Sequence, residues 1–271
     1  MLDPLSPNVD HKREILRRTF DADAELYERA RPEYPELLFD DLFVVAGLQR
    51  GTRVVEIGCG TGKATRPLAR RECALTCLEL GENLAAVARQ KLSEFSNVQV
   101  IQSSFEEWEP GDRTFDVVFA ACAWHWIDPQ IRYAKAAQLL RRNGRLALIH
   151  VEHVFPDGFD EFFVEIQKVY NSFGESIDKF PRPQQIPDNR EDIESSGRFA
   201  NVQVKRYVWS VDYTAEQYIN LLNTYSGHIT MEPSNRSALY TEVCRLINAR
   251  AERHIRKHYL AILQVANLIA R

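Results

Sequence analysis

The stretch that decides the reading of this chain is Val54 to Gly62, VVEIGCGTG. Two β-branched residues, Val54 and Val55, favour extended backbone and lead into a carboxylate, Glu56. Gly58, Cys59, Gly60, Thr61 and Gly62 then make a glycine-rich turn, and a helical pattern begins near Lys63. A strand that breaks into such a turn and then a helix brings backbone N–H groups and a helix N-terminus close to a ligand. A P-loop would need GxxxxGK followed by Ser or Thr. Gly62 and Lys63 supply the GK, but Ile57 stands where the first glycine belongs and Ala64 replaces the Mg²⁺-binding hydroxyl. A dinucleotide GxGxxG starting at Gly58 would put its third glycine at Lys63, a long side chain in a tight place. What remains is an acid two residues before GxGxG.

The next apolar run, Ala74 to Leu80 (ALTCLEL), ends in Glu79 and is followed by Gly81 and a helical pattern. An acid at the end of the second strand, about twenty residues past a glycine turn, can accept hydrogen bonds from both hydroxyls of a ribose. These two motifs resemble motifs I and II of the class I S-adenosylmethionine-dependent methyltransferases. The resemblance is clearest over residues 20–151, where it includes YERARPEYP from Tyr27, FDVVFAACAWHW from Phe115 and LLRRNGRLAL from Leu139. It is nearest to small-molecule enzymes of the type 11 and trans-aconitate methyltransferase kind. Over residues 152–271 it is only topological.

Strand-like stretches at 53–57, 74–80, 98–102, 115–121 and 145–151 alternate with helical patterns at about 62–71, 82–95 and 130–141. That rhythm implies a parallel sheet covered on both faces. Residues 10–20 and 35–48 read as amphipathic helices, with Tyr27, Arg31, Pro32, Tyr34 and Pro35 marking an irregular turn between them. Asn143-Gly144 reads as a helix stop before the fifth strand. Beyond it come a helix at about 158–172, a polar segment with Pro181, Pro183 and Pro187, and a strand at 202–211. Helices near 214–225 and 233–250 and a last strand at 254–266 complete the chain. The late strands resemble the family's antiparallel β6–β7 hairpin. The expected architecture is an α/β, doubly wound, mostly parallel seven-stranded sheet with helical lid insertions. It forms one domain over 1–271: an N-terminal cap at 1–50, a cofactor-binding core at 51–151, and lid segments at 152–200 and 214–250.

A net charge of −4 over 271 residues gives no electrostatic footprint for nucleic acid. No signal peptide is visible at the N-terminus and no apolar run approaches a membrane span. Cysteines 59, 73, 77, 122 and 244 lack paired metal-ligand spacing, which suits a reducing cytoplasm. His150 and His153 flanking Glu152 read as a strand end more than a metal site. The expected partner is a small-molecule methyl acceptor, with no nucleic acid, membrane or metal. RNA methylation and a non-catalytic methyltransferase-like subunit stay open as alternatives.

The resemblance implies S-adenosylmethionine as cofactor, with Gly58 and Gly60 admitting its methionine moiety and Glu56 orienting the amino group. Glu79 would hold the ribose. Ser104 stands where many relatives carry an adenine-binding Asp, and Phe105 either stacks on adenine or belongs to the core. Ala121, among the small residues ending the fourth strand, would allow close approach to the backbone. Tyr27 and Arg31 either close over the methionine end or form a surface turn. Trp124 and Trp126 are candidates for the acceptor pocket, one of them expected in the core, and Tyr225 and His228 are candidates from the lid. His125 is the candidate general base, its other reading being a structural histidine. Methyl transfer from a sulfonium needs mainly alignment and exclusion of water, so few catalytic side chains are required.

Overall fold

The computed structural model describes residue 13, residues 15–174 and residues 179–269. Seven strands make one sheet in the order β3-β2-β1-β4-β5-β7-β6. They are β1 Arg53–Ile57, β2 Ala74–Glu79, β3 Val98–Gln102, β4 Phe115–Ala121, β5 Leu140–His153, β6 Phe199–Thr214 and β7 His254–Leu268. The first five run parallel, and β7 lies antiparallel between β5 and β6. The central strands are mainly apolar because both of their faces are covered. Val54, Leu75, Val117 and Ala147 pack into a cluster with Leu38, Phe39 and Leu68, and Val55, Val118 and Leu146 pack into another with Tyr133 and Phe199. The chain leaves β1 toward β2 on one side, and β4 pairs on the other. Such a reversal opens a crevice at the C-terminal strand ends.

The early strands fall where the sequence puts them, and the late ones are longer. β5 begins at Leu140 because Asn143 and Gly144 sit in an irregularity between the pairs Phe115↔Leu140 and Val117↔Arg145. Asn143 has φ 64, a left-handed conformation asparagine tolerates. The expected helix stop is therefore a bulge inside the strand. β6 and β7 stay paired from Phe199↔Leu268 to Thr214↔His254, beyond the last β5–β7 pair, His153↔Tyr259. Their overhang carries helices Ala215–Leu222 and Pro233–Asn248, whose Leu221, Leu239 and Val243 form an apolar cluster with Phe162, Phe163 and Tyr259.

Three local expectations change. Tyr27 lies within helix Ala24–Ala30, and the irregular turn begins only at Arg31, held extended at φ −72, ψ 135 by the following Pro32. The helix expected over 214–225 stops at Leu222, and Tyr225 caps a separate turn, Ser226–Ile229. The 152–200 segment is not all lid, because helix Arg190–Ser195 buries Ile193 with Tyr133 and Phe199 against the sheet. Of the helix expected over 10–20, residues 15–19 are helical, while 10–12 and 14 lie outside the described residues.

Candidate functional site

A cavity of about 700 Å³ opens at the C-terminal ends of β1, β2 and β4 and continues under the β6–β7 overhang. Ligand cavities run from about 300 to 1,000 Å³. The glycine turn forms its floor. Gly58 has φ +66, and a Cβ there would meet Ala123 Cβ at 2.6 Å, so the turn needs glycine for packing as well as for backbone conformation. At Gly60, φ +57, a Cβ would meet only Tyr27 Cε1 at 3.9 Å, which leaves that face of the turn open to the cavity. The turn's N–H groups are largely spent on the fold. Gly58 and Cys59 donate to Leu78 O at 2.8 and 3.0 Å, and Gly60 donates to Glu79 Oε2 at 2.8 Å. Glu79 Oε1 accepts from Gly81 N at 2.9 Å, so one carboxylate ties the glycine turn to the start of helix Glu82–Lys91. Burial raises the Glu79 pKa, against the bonds from Gly81 and Gly60 that lower it. A carboxylate accepts about four hydrogen bonds, so capacity remains for a ligand.

Glu56 also lines the cavity, but its Oε2 accepts from Thr65 Oγ1 at 2.7 Å and Cys77 Sγ at 3.7 Å. It is 1% exposed, and burial pushes its pKa to about 7. Half of this carboxyl therefore braces β1 and β2 against the helix that follows the turn. At the end of β4, Cys122 has φ 55, a conformation uncommon outside glycine, and its Sγ accepts from Tyr34 OH at 3.7 Å. Ala121 and Ala123 beside it leave the cavity wall thin.

The N-terminal helix is clamped over this floor. Glu28 accepts from Thr61 Oγ1 and, at 2.8 Å, from Arg66 Nη1, while Lys63 Nζ lies 2.7 Å from Glu33 Oε1. Lys63, the residue that breaks the dinucleotide pattern, is thus an ion-pair partner of the cap. Asp21 Oδ1 accepts from Leu84 N at 2.8 Å and anchors the arm to helix Glu82–Lys91. Tyr27 and Arg31, one helical turn apart, are thereby placed on the cavity wall. Arg31 donates Nε to Thr224 Oγ1 at 2.8 Å and Nη2 to Thr224 O at 2.7 Å, with its guanidinium 4.4 Å over the Tyr225 ring. Among the described residues it has no carboxylate partner, and Nη1 makes no hydrogen bond.

Ser104 is 7% exposed; its hydroxyl donates to Glu107 Oε2 at 3.2 Å and accepts from Glu107 N at 3.1 Å. Its proton is thus engaged in its own turn. Phe105 lines the cavity and packs in the core, and Arg17 closes that end by pairing with Glu106 at 2.8 Å. Trp124 faces away from the cavity: it is 6% exposed and packs edge-on to Tyr133 at 5.2 Å. Its expected place in the acceptor pocket is corrected to the core, while Trp126 lines the cavity beside Phe20. His125 sits on the wall between Trp126 and His150, its ring open to the cavity but enclosed enough that burial lowers its pKa to about 4. Tyr225 and His228 reach the cavity from the turn between helices Ala215–Leu222 and Pro233–Asn248, with His228 Nε2 2.8 Å from Tyr170 OH.

Sequence reasoning missed Glu28, Tyr34, Cys122 and Lys257. Glu28 and Tyr34 stand inside YERARPEYP and could have been drawn from it. Lys257 lies in the polar-looking run RHIRK and gives no local signal. Among the described residues, no group of three or more His, Cys, Asp or Glu side chains is arranged to hold a metal ion, and no helix is long and apolar enough to cross a membrane.

Residues 54–144 match the family described as a methyltransferase domain. An uncharacterized methyltransferase of Mycobacterium tuberculosis is 26% identical over 235 residues, 87% of this chain and 88% of that protein. Trans-aconitate 2-methyltransferase of Mycobacterium ulcerans is 34% identical over 101 residues, 36% of this chain and 34% of that protein. A structure described as a type II methyltransferase from Anaeromyxobacter dehalogenans superposes with a TM-score of 0.61 at 20% identity, covering 89% of this chain and 99% of that one.

Proposed function

We propose that this chain, whose residues 54–144 match a methyltransferase domain, is a class I methyltransferase that transfers a methyl group from S-adenosylmethionine to a small-molecule acceptor. The observation that carries this reading is Glu79, which ties the open glycine turn to the next helix and keeps lone pairs for a ligand at the C-terminal edge of the sheet. The cofactor supplies an electrophilic methyl carbon on a sulfonium, with a neutral thioether as leaving group. The residues present fit that group: the bare face of Gly60 admits close approach, Glu79 can take ribose hydroxyls, and Arg31 has a free Nη1 for a carboxylate. Tyr27, Glu56, Gly58, Phe105 and Ala121 complete the cofactor half, and Ser104 contributes its backbone turn.

The chain's own contribution is placement. Tyr27, Arg31 and Tyr225 close the cavity from the cap and lid, which excludes water and holds the acceptor in line with the methyl group. Trp126, Tyr225 and His228 line the acceptor half. His125 is neutral across the physiological range, since burial lowers its pKa to about 4. A base that weak does little proton abstraction near pH 7, which favours a positioning role. Residues 1–271 act in this reading as one domain, in the cytoplasm, on a substrate that is not a nucleic acid.

Calorimetric titration with S-adenosylmethionine and S-adenosylhomocysteine tests the reading. One site per chain for both ligands is the expected outcome. Absence of binding by either, in protein that unfolds cooperatively, would overturn it.

A further inference from the structure

Most charged side chains around the cavity have partners. Arg17 pairs with Glu106, Lys63 with Glu28 and Glu33, and Glu152 with the His150 ring at 2.7 Å. Glu56 and Glu79 are hydrogen-bonded at the glycine turn. Two cations remain without an acid within ion-pair distance among the described residues, Arg31 and Lys257. Arg31 is taken by the cofactor reading. Lys257 is left over.

Lys257 is 3% exposed, on the part of β7 that overhangs β5, and it lines the cavity. Its Nζ lies 5.5 Å from the Phe163 ring centre and 5.2 Å from that of Tyr259. No hydrogen bond or ion pair to it occurs among the described residues, and the charges that reach it are Arg31, which repels, and Glu152, which attracts. Burial without a partner pushes the Lys257 pKa well below the ordinary lysine range, and an anion seated beside it restores the charged form. The wall around it is apolar and aromatic: Phe155, Phe163, Ile166, Tyr218 and Met231 line the same space. His153 and His228 stand nearby, and burial together with Lys257 holds both neutral, so neither supplies a competing charge.

We propose that Lys257 is the specificity-determining residue of the acceptor site, and that the acceptor is an organic acid with one anionic group and an apolar or aromatic body. The ammonium takes the anionic group, and the Phe155, Phe163, Tyr218 and Met231 wall takes the body. A polyanion lacks a second buried cation here once Arg31 is engaged, and a neutral molecule gives the Lys257 amine nothing that stabilises its charged form. This assignment rests on the methyltransferase reading, but it is an equilibrium binding statement that can be measured apart from turnover.

The test uses decanoate and 4-phenylbutyrate as probes, with decanol and 4-phenylbutanol as neutral counterparts and tricarballylate as the polyanion. Each is titrated calorimetrically with and without saturating S-adenosylhomocysteine. The two acids should bind about tenfold to a hundredfold tighter than their alcohols, the scale of a charge-assisted hydrogen bond, and tighter than tricarballylate. Lys257→Met, which keeps length and removes the charge, should erase that preference while affinity for S-adenosylhomocysteine stays within about threefold of wild type. Its thermal midpoint should not fall, since the buried amine has no hydrogen bond or ion pair among the described residues to lose and a thioether suits the Phe163 and Tyr259 rings beside it. Lys257→Gln serves as the second variant should the methionine protein not fold. Equal binding of acids and alcohols to wild type, failure of either acid to bind, or an acid preference that survives in the folded variant each overturns the proposal. Failure of the cofactor reading shows separately, as loss of the S-adenosylhomocysteine isotherm in wild type.

Discussion

The two halves of the cavity are built by different means. The glycine-turn half comes from residues 56–62 and 79–81, and its shape is set by backbone bonds such as Gly58 N to Leu78 O and by Glu79 spanning Gly60 and Gly81. The overhang half comes from side chains far apart in sequence: Arg31 reaches Thr224 across 193 positions, and Phe163 meets Tyr218 and Lys257. Acids in the first half are braced by hydrogen bonds, whereas the second keeps a lysine without a partner. A site for an invariant ligand can be fixed by backbone. A site for a variable one is set by side chains on an overhang, where substitutions do not disturb the sheet.

If the first half is rigid and backbone-made, its glycines should be the most sensitive points. Gly58→Val places a β-branched side chain at φ +66 with its Cβ 2.6 Å from that of Ala123. Strain plus overpacking should cost about 2–6 kcal/mol and abolish S-adenosylhomocysteine binding, read by thermal unfolding and calorimetry. Gly60→Ala, which meets only Tyr27 at 3.9 Å, should cost about 1–2 kcal/mol for its left-handed backbone. Equal losses in the two would break the picture of a turn packed on one side and open on the other.

The bracing role of Glu56 has a pH signature. Its pKa rises from 4.5 in the unfolded chain to about 7 in the fold, so between those values the native state holds a proton that the unfolded state has released. Stability from this group is therefore present below pH 4.5 and falls as pH rises toward 7, by roughly 3 kcal/mol. His125 and His228, both lowered to about 4, shift stability the opposite way over pH 4 to 6.5, so a difference measurement is needed. Denaturant unfolding of wild type and Glu56→Gln at pH 5 and pH 8 should show wild type losing ground at the higher pH. Parallel behaviour would mean that Glu56 is solvated, and would return it to direct ligand contact.

Glu79→Ala should weaken S-adenosylhomocysteine binding by about tenfold to a hundredfold, with a small loss of stability from the freed Gly60 and Gly81 N–H groups. Glu79→Gln should be nearly as poor, because its NH₂ would face a backbone donor. Wild-type affinity in either variant would remove Glu79 from the cofactor site. The smallest effect is expected at His125. His125→Ala should lower the single-turnover rate less than about tenfold, and the wild-type rate should show no break near pH 6.5, because this ring titrates near 4. A loss of a hundredfold or more, with a break near neutrality, would make His125 the general base and the acceptor a group that must lose a proton.

Residues 53–121 were legible in the sequence because what shapes them is local. Short apolar, β-branched runs, glycines at φ > 0 and an acid at a strand end act within a few positions of themselves, so β1 to β4, Gly58, Gly60 and Glu79 fall where the motifs put them. Trp124 and Trp126 show the limit: two residues apart, one packs on Tyr133 and the other lines the cavity, and only the turn between β4 and the next helix decides which. The lengths of β5 and β6 and the burial of Lys257 at the cavity wall were settled by pairing across long loops. β6 and β7 extend past β5 because each supplies the other's backbone partners; the start of β7 at His254 falls where the sequence puts it, but its reach beyond β5, which buries Lys257, does not show in the sequence. The sequence by itself determined the glycine turn and the strand-end acid on which the proposed cofactor site rests, through short-range backbone rules. Tertiary structure decided what faces that turn, because a buried lysine acquires its meaning only from the side chains that long-range folding places, or fails to place, beside it.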